Sequence, residues 1–223
     1  MDVKRAFDLA VAGAGLVGCA PLIGAVAAAI KLEDGGPVFY RGERVGLHGK
    51  PFKILKFRSM VVDAEKSGVS TTGDADSRIT RTGKVIRRLK LDELSQLFNV
   101  VVGDMSLVGP RPEVQKFVDM YTEEERAILD VRPGITDWAS IWNNDEGAVI
   151  AASGIEDADE AYEKLIRPTK LELQLEYVRE RSLVTDLKII LRTLRAIVER
   201  DHDVSDIAPS PLDNLQTAKA GAA

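Results

Sequence analysis

The part of this sequence whose residue types and spacing point most directly to chemistry lies between residues 87 and 112. There an adjacent acid pair, Asp92 and Glu93, follows basic residues that include Arg87, and it precedes Arg111, which stands between two prolines. Two neighbouring carboxylates can divide the roles of nucleophile, base and metal ligand. Arginine binds phosphate oxygens through two parallel hydrogen bonds. The stretch therefore predicts chemistry on a phosphorylated substrate, although the acid pair alone also fits the ordinary acidic first turn of a helix.

Positive charge is concentrated just before the acid pair, whereas the chain as a whole is acidic. The net charge of −5 and the pI of about 5.3 argue against general nucleic-acid binding, so no nucleic-acid partner is expected. If the stretch from Thr82 to Lys90 is helical, the basic residues Arg81, Lys84 and Arg88 share one face. That face is either simply solvated or directed at anionic lipid or substrate phosphate.

The elements that must position these residues begin with an apolar segment from Ala6 to Ile30, whose one charge is Asp8. The segment is long enough to span a bilayer, but it is a poor signal peptide because it is too long and contains Pro21. Proline interrupts helical hydrogen bonding, so we expect a break near Ala20. The first limb is then roughly 22 Å long, short of a hydrocarbon core of about 30 Å. A re-entrant helix-break-helix fits these lengths, and one kinked transmembrane helix is the alternative.

Basic residues flank the apolar segment on both sides. Lys4 and Arg5 precede it and Lys31 follows it, which indicates that both ends stay cytoplasmic. Lys4 and Arg5 can also reach Asp8 across one helical turn, and such pairing lowers the cost of an acid at a membrane surface.

The rest of the chain predicts a mixed α/β fold that is mostly helical. Residues 37–44 and 51–60 have the pattern of two short strands around a Gly-rich turn, and residues 61–76 that of a loop. Helical spacing predicts helices over residues 92–101, 113–130, 157–180 and 183–199, the last of which belongs either to the core or to a membrane interface. We expect a re-entrant membrane helix broken at Pro21 over residues 1–33, a single compact cytosolic catalytic domain with interfacial amphipathic helices over residues 34–200, and a disordered tail over residues 201–223.

Several other chemistries are disfavoured by what the sequence contains. The one cysteine, Cys19, lies in the apolar segment, which excludes a disulfide framework. His48 is one of two histidines, and neither a Ser-His-Asp triad nor a histidine-based zinc site can be assembled convincingly. Neither a P-loop nor a dinucleotide-binding glycine motif is present in the sequence.

A series of short motifs follows in a fixed order from residue 4 to about residue 199. They are Lys4-Arg5 with Asp8, then Pro21, Lys56-Phe57-Arg58-Ser59-Met60, Leu91-Asp92-Glu93-Leu94, Gln96-Leu97-Phe98-Asn99-Val100, Gly103-Asp104-Met105-Ser106-Leu107-Val108-Gly109-Pro110-Arg111-Pro112 and Arg132-Pro133-Gly134-Ile135-Thr136. In this order they resemble the small monotopic phosphoglycosyl transferases. These are bacterial sugar transferases that start glycoconjugate assembly, including exopolysaccharide, on polyprenyl phosphate.

The resemblance implies a two-step transfer through a covalent intermediate. Asp92 would attack the sugar-linked phosphate of a nucleotide diphosphate sugar, usually a UDP-sugar, and release nucleoside monophosphate. The sugar phosphate would then pass from Asp92 to polyprenyl phosphate. Magnesium, held in part by Asp92, would offset phosphate charge, and Glu93 would either support the metal site or activate the lipid phosphate. A helix N-terminus at Asp92 would keep its carboxylate ionised.

The resemblance also assigns binding residues and a location. The candidate phosphate-binding residues are Lys56, Arg58, Arg87 and Arg111. The re-entrant membrane helix would contain Lys4, Arg5, Asp8 and Pro21. The protein would lie on the cytoplasmic face of the bacterial inner membrane in contact with lipid, and a homodimer remains open.

The chain departs from the familiar pattern of these transferases in two places. Ser95 stands where a proline often follows, and residues 137–146 differ from the usual sequence, so the identity of the sugar cannot be carried over. Within that segment Trp138 and Trp142 either pack in a core or interface, or stack on a nucleobase or mark the membrane boundary.

Two rival functions remain at this stage. A metal-dependent glycosyltransferase would use Asp74 and Asp76 as an acid-x-acid metal motif and would release nucleoside diphosphate rather than monophosphate. A non-enzymatic membrane scaffold would tolerate the replacement Asp92→Asn.

Overall fold

A computed structural model describes residues 2–64, 76–143, 146–155, 157–199 and 204–209 of the chain. The described residues fall into two compact units. The first contains the residues up to Ala64 together with Ser77–Ile135, and the second contains Asp76 and the residues from Thr136 onward. The predicted mixed α/β, mostly helical class is confirmed. The domain limits at residues 33 and 200 stay predictions.

The first unit begins with two helices, α1 (Val3–Gly18) and α2 (Ala20–Asp34). The break lies at Cys19, and Pro21 occupies the first turn of α2, where its missing N–H is not needed. The break expected near Ala20 is therefore confirmed, and the proline starts the second helix there. Helix α2 also extends past Ile30 to Asp34, and Gly35 after it adopts the left-handed conformation that glycine permits.

None of the described helices is by itself both long and apolar enough to cross a membrane. Helices α1 and α2, which are bent by 61° relative to each other, meet that requirement of length and composition only as a pair.

The predicted hairpin is confirmed as two antiparallel strands, β1 (Phe39–Val45) and β2 (Pro51–Phe57), joined through a 3₁₀ turn at Leu47–Gly49. Two helices follow in the first unit, α3 (Arg81–Arg88) and α4 (Gln96–Val102), with a 3₁₀ turn at Leu91–Glu93 between them. The helix predicted over residues 92–101 is thus shorter, and the acid pair lies in the turn that precedes it.

The remainder of the first unit is built from short elements. Strands β3 (Ser106–Val108) and β4 (Gly134–Thr136) form a second two-stranded sheet. Between them lie α5 (Gln115–Val118) and a 3₁₀ helix (Glu125–Asp130), so the continuous helix predicted over residues 113–130 is wrong. The Thr122 hydroxyl accepts a hydrogen bond from the Glu125 N–H, and this capping box starts a new turn rather than continuing α5.

The second unit is helical. Its elements are α6 (Trp138–Trp142), α7 (Glu146–Ser153), α8 (Ala158–Leu165), α9 (Arg167–Glu180) and α10 (Leu183–Val198). The helix predicted over residues 157–180 is divided at Ile166, because Pro168 in the first turn of α9 cannot continue the hydrogen bonding of α8. The helix predicted over residues 183–199 is confirmed.

The predicted tail is described only over residues 204–209. There the Pro209 carbonyl accepts a hydrogen bond of 2.6 Å from the Trp142 indole, and Asp206 pairs with Arg192. The rest of residues 201–223 lies outside the described part of the chain, and the disordered tail stays a prediction.

Candidate active site

Asp92 lies in the 3₁₀ turn that connects α3 to α4. The chain enters this turn through Lys90, which adopts a left-handed conformation at φ 54°, an uncommon value for a residue other than glycine. This reversal separates the acid pair from the basic helix α3 and leaves the Asp92 side chain half-buried.

Three of the predicted phosphate-binding residues act electrostatically on Asp92. Burial raises the pKa of Asp92 above its usual value and the neighbouring Glu93 adds to the rise, while Lys56, Arg111 and Arg87 oppose it. The pKa of Asp92 therefore shifts in the direction opposite to the effect expected from a helix N-terminus. In this turn, cationic side chains supply the stabilisation of the carboxylate.

Glu93 binds two of these cations directly. Its Oε1 lies 2.9 Å from Lys56 Nζ, and the Arg111 guanidinium contacts both carboxylate oxygens, with Nη1 3.2 Å from Oε2. Burial alone would raise the pKa of Glu93, but Arg111 and Lys56 together hold it well below its usual range. An ionised carboxylate of such low basicity is a weak proton acceptor, and it fixes two cations beside Asp92.

Arg111 is positioned by the close approach of two motifs that are separated in sequence. The Gly134 N–H donates to the Pro110 carbonyl at 3.0 Å, and a Cβ added at Gly109 would lie 2.4 Å from the Arg132 carbonyl oxygen. Only glycine fits at this contact. The Gly-Pro-Arg-Pro and Arg-Pro-Gly sequences thus form one structural support for Arg111.

Lys56 is positioned by hydrogen bonds between β2 and α4. The Ser95 hydroxyl donates to the Leu55 carbonyl at 3.1 Å, and the Leu55 N–H donates to Asn99 Oδ1 at 2.8 Å. The Asn99 amide also donates to the Lys53 carbonyl at 2.9 Å. These side chains form hydrogen bonds with the backbone N–H and C=O groups on the edge of β2 that does not pair with β1. Sequence reasoning missed both roles, although Asn99 belongs to a noted motif and Ser95 had been marked as a departure.

Arg58 lies away from this cluster of charges. Its side chain is buried and forms a two-pronged ion pair with Asp34, with Nη1–Oδ2 and Nη2–Oδ1 distances of 2.7 and 2.5 Å. It also donates to the carbonyls of Pro37 and Met60. Arg58 is not among the charges with the largest effect on the pKa of Asp92, and its phosphate-binding role stays a prediction.

The basic and acidic residues near the start of α1 attach that helix to the first unit. Arg5 donates to the Val100 carbonyl at 2.6 Å and Lys4 to the Val108 carbonyl at 3.1 Å. The buried Asp8 accepts a hydrogen bond of 2.8 Å from Ser106. The guanidinium of Arg5 is thus directed at the C-terminal end of α4 rather than at Asp8, where its charge complements the exposed carbonyls.

The basic side chains of helix α3 differ in their exposure to solvent. Arg81, Lys84 and Arg88 are exposed, as expected for residues on one face, whereas Arg87 is half-buried and acts on Asp92. A Cβ at Gly83 would lie 2.0 Å from the Ser59 carbonyl oxygen, so this glycine lets α3 pack directly on the residue after Arg58.

A magnesium ion at Asp92 would find few protein ligands. Among the described residues, no group of three or more Asp, Glu, His or Cys side chains could hold a metal, and Glu93 is bound to Lys56 and Arg111. This donor set fits Mg²⁺ held by one carboxylate, water and substrate phosphates, and it does not fit an all-protein cage. Asp74 of the rival acid-x-acid motif lies outside the described residues.

The tryptophans pack within the second unit. Trp142 is buried, and the Arg192 guanidinium lies 5.8 Å from the centre of the Trp138 ring. These contacts agree with the packing interpretation of both residues.

Comparisons with known proteins support the motif assignment. The family model described as bacterial sugar transferase matches residues 1–200. An Aeromonas hydrophila protein named UDP-N-acetylgalactosamine-undecaprenyl-phosphate N-acetylgalactosaminephosphotransferase is 41% identical over 88% of this chain and 44% of its own length. The uncharacterized sugar transferase EpsL of Bacillus subtilis is 39% identical over 89% of this chain and 88% of its own length. The exopolysaccharide production protein ExoY of Rhizobium meliloti is 35% identical over 87% of this chain and 84% of its own length. The chain thus spans less than half of the Aeromonas relative and most of the other two.

Proposed function

Because the chain belongs to the bacterial sugar transferase family, we propose that it transfers a sugar phosphate from a nucleotide diphosphate sugar to polyprenyl phosphate. The observation that carries the proposal is the arrangement around Asp92. One carboxylate has three cations acting on it, and the neighbouring Glu93 binds two of them. Such a cluster suits the charge that develops when a phosphoryl group is transferred.

In the first step, an oxygen of ionised Asp92 attacks the phosphorus that carries the sugar. A bond forms between that oxygen and phosphorus, and the bond to the bridging oxygen breaks, so nucleoside monophosphate leaves with the bond's electron pair. Lys56, Arg87 and Arg111 stabilise the negative charge on the phosphoryl oxygens and on the leaving phosphate. They also favour the ionised form of Asp92 that the attack requires.

In the second step, an oxygen of polyprenyl phosphate attacks the same phosphorus and releases the Asp92 carboxylate. The product is a polyprenyl diphosphate sugar. Mg²⁺, held by Asp92 and substrate phosphates, would supply further neutralisation of phosphate charge. Glu93 serves in both steps as the anchor of Lys56 and Arg111.

The proposed location is the cytoplasmic face of the inner membrane, with α1 and α2 entering and leaving on the same side. Both ends of this helix pair contact the first unit: Arg5 and Asp8 bind α4 and β3, and Asp34 binds Arg58 after β2. A single spanning helix would place its two ends on opposite sides of the bilayer. The shared attachment supports the re-entrant arrangement.

The test identifies the released nucleotide. Detergent-solubilised protein is incubated with Mg²⁺, undecaprenyl phosphate and a panel of UDP-sugars that includes UDP-N-acetylgalactosamine and UDP-glucose. We expect UMP, and one member of the panel should be preferred. Release of UDP would favour the rival glycosyltransferase, and absence of any turnover across an extended nucleotide-sugar panel would support the scaffold.

The variant Asp92→Asn tests the covalent step. It should lose about 10⁴-fold or more in turnover, the size of loss that removal of a nucleophile produces, because an amide is a poor nucleophile, while its melting temperature stays close to that of the wild type. Asp119→Asn, at an exposed aspartate of the first unit, is the matched control. A purified Asp92→Asn protein with near wild-type turnover would show that the covalent mechanism is wrong.

A further inference from the structure

The last two residues of α2, Glu33 and Asp34, are acids, and each is bound to a different chain segment that also carries a cation of the active site. Glu33 caps the start of α3, where its Oε1 accepts from the Arg81 N–H at 2.9 Å and its Oε2 from the Thr82 N–H at 3.2 Å. Asp34 holds the Arg58 guanidinium through two hydrogen bonds of 2.5 and 2.7 Å. The carboxylates thus clamp the end of the membrane-associated helix pair to two separate elements.

Each of these contacts lies close in sequence to a cation of the active site. Helix α3, held at its first turn by Glu33, carries Arg87 in its last turn and leads directly into the turn of Asp92. Arg58, held by Asp34, lies two residues after Lys56 on the same chain segment. Arg87 and Lys56 are two of the three cations that act on Asp92.

A hydrophobic cluster completes the connection. Val26 and Ile30 of α2 pack with Phe57 at the end of β2 and with Ile86 of α3, and the residues Leu91 and Leu94 on either side of the acid pair pack against the cluster. Close-packed side chains of this kind transmit displacement rather than absorbing it. A shift of α2 would therefore reach the turn of Asp92 through apolar contacts and through the two carboxylates.

We propose that Glu33 and Asp34 are positioning residues that couple the placement of α2 to the cations around Asp92. Glu33 fixes the position of α3 and thereby of Arg87. Asp34 fixes the position of the end of β2 and thereby of Lys56. The inference rests on the proposed transferase function for its kinetic consequence. It goes beyond that function by making the membrane-associated pair a part of the catalytic framework as well as an anchor.

The chemistry of the two contacts supports a positioning role. The hydrogen bond from Thr82 lowers the pKa of Glu33, and the hydrogen bond from Arg58 lowers the pKa of Asp34 to about 2, so both acids are ionised at neutral pH. The Glu33 side chain is exposed, and such contacts contribute little to global stability. Loss of Glu33 should consequently disturb α3 without unfolding the protein.

The test compares kcat, donor KM and melting temperature for Glu33→Gln, Asp34→Asn and Asp34→Glu in one detergent preparation. Glu43→Gln is the matched control, because Glu43 is exposed on β1 of the same unit. We expect Glu33→Gln and Asp34→Asn each to lower kcat by about tenfold or more, the size of effect that misplacement of catalytic groups produces. Donor KM should change by less than about twofold, and Asp34→Glu, which keeps the charge, should recover part of the loss.

A second measurement does not depend on turnover. Amide hydrogen exchange over residues 86–94 should accelerate by about tenfold in Glu33→Gln and stay unchanged over residues 39–45. Unchanged exchange over residues 86–94 would overturn the coupling even if the wild type showed no transferase activity. If the wild type turns over and both variants keep its kcat, the coupling fails while the proposed function stands. A wild type without turnover, together with accelerated exchange, would overturn the function and leave the mechanical coupling supported.

Discussion

The two acids of the pair are adjacent in sequence, yet their surroundings shift their pKa values in opposite directions. Asp92 faces burial that its cationic neighbours only partly offset, so its pKa is raised. Glu93 is bound by Lys56 and Arg111, so its pKa is lowered. Opposite shifts in neighbouring titratable groups indicate different roles. They agree with the proposed division, in which Asp92 forms the bond to phosphorus and Glu93 holds Lys56 and Arg111 in place.

Replacement of Lys56 tests this division at the residue scale. Lys56→Gln removes a cation that acts on Asp92 and a partner of Glu93, so we expect kcat to fall by about 10²- to 10³-fold, as for loss of one preorganised charge-stabilising group. Lys53→Gln, at an exposed lysine of the same strand, should leave kcat within about twofold. Steady-state kinetics with saturating donor measures kcat for both variants. Equal kcat values would show that Lys56 does not take part in catalysis.

Gln96 offers a prediction about stability. Its side chain is buried, and neither amide atom has a hydrogen-bond partner in the structure. An unpaired buried amide costs about 1–3 kcal/mol. Gln96→Met, which keeps the length of the side chain, should therefore raise the melting temperature, while Gln115→Met at an exposed position should not. A lower melting temperature for Gln96→Met would mean that the amide is bound by water or ligand in solution.

At the scale of elements, the helix pair α1–α2 and the turn of Asp92 belong to the same packed unit. Helix α1 packs on α4, and α2 packs on α3 and on the residues that flank the acid pair. The pair is therefore attached at several points along its length. Because both ends of the pair are attached to this unit, labels near both ends should report the same side of the membrane.

Cysteines introduced at Val3 and Leu32 should both be labelled from the cytoplasmic side. Both side chains are well exposed, at 68% and 85%, and the background would be Cys19→Ser. Labelling with a membrane-impermeant maleimide in oriented vesicles makes the measurement. A residue at position 3 that reacts only from the outside would show a spanning helix. Adding Pro21→Ala should restore a backbone donor in the first turn of α2 and favour a straighter pair, which would shift the pattern toward spanning.

At the scale of the whole molecule, an acidic chain carries a locally basic surface. The net charge is −5, yet α3 exposes Arg81, Lys84 and Arg88 together. Each basic side chain near an anionic leaflet contributes about 1 kcal/mol to binding. In the proposed membrane-bound arrangement, apolar burial of α1 and α2 would be a far larger source of attachment. The basic face is consequently suited to attract the phosphate of a lipid acceptor more than to hold the protein on the membrane.

The triple variant Arg81→Gln, Lys84→Gln and Arg88→Gln separates these two roles. It should lower transfer to undecaprenyl phosphate by about tenfold while most of the protein still sediments with membranes. Release of UMP in the first half-reaction should change little, because the cations with the largest effect on Asp92 are Lys56, Arg111 and Arg87 rather than the three replaced residues. If the variant no longer sediments with membranes but transfers normally in detergent, the basic face of α3 serves to anchor the protein instead.

Much of the local structure followed from the sequence because its causes are local. The pattern of two short strands around a Gly-rich turn predicted the β1–β2 hairpin, and helical spacing predicted α10. The acid pair and its basic neighbours could likewise be nominated from residue type, because charge and hydrogen-bonding capacity belong to each side chain. Where local signals competed, as at Pro168 between α8 and α9, the predicted element was too long.

Only the tertiary structure decided which polar side chains meet. Lys56 and Glu93 are 37 residues apart, Asp34 and Arg58 are 24 apart, and Asp8 and Ser106 are 98 apart. Composition and spacing carry no information about such pairs, because packing of the intervening elements brings them together. The sequence alone determined that Asp92 and Glu93 are acids with basic residues nearby in the chain. The fold decided that Glu93 is ion-paired and that the pKa values of the two acids shift in opposite directions, since burial and neighbouring charge set those values.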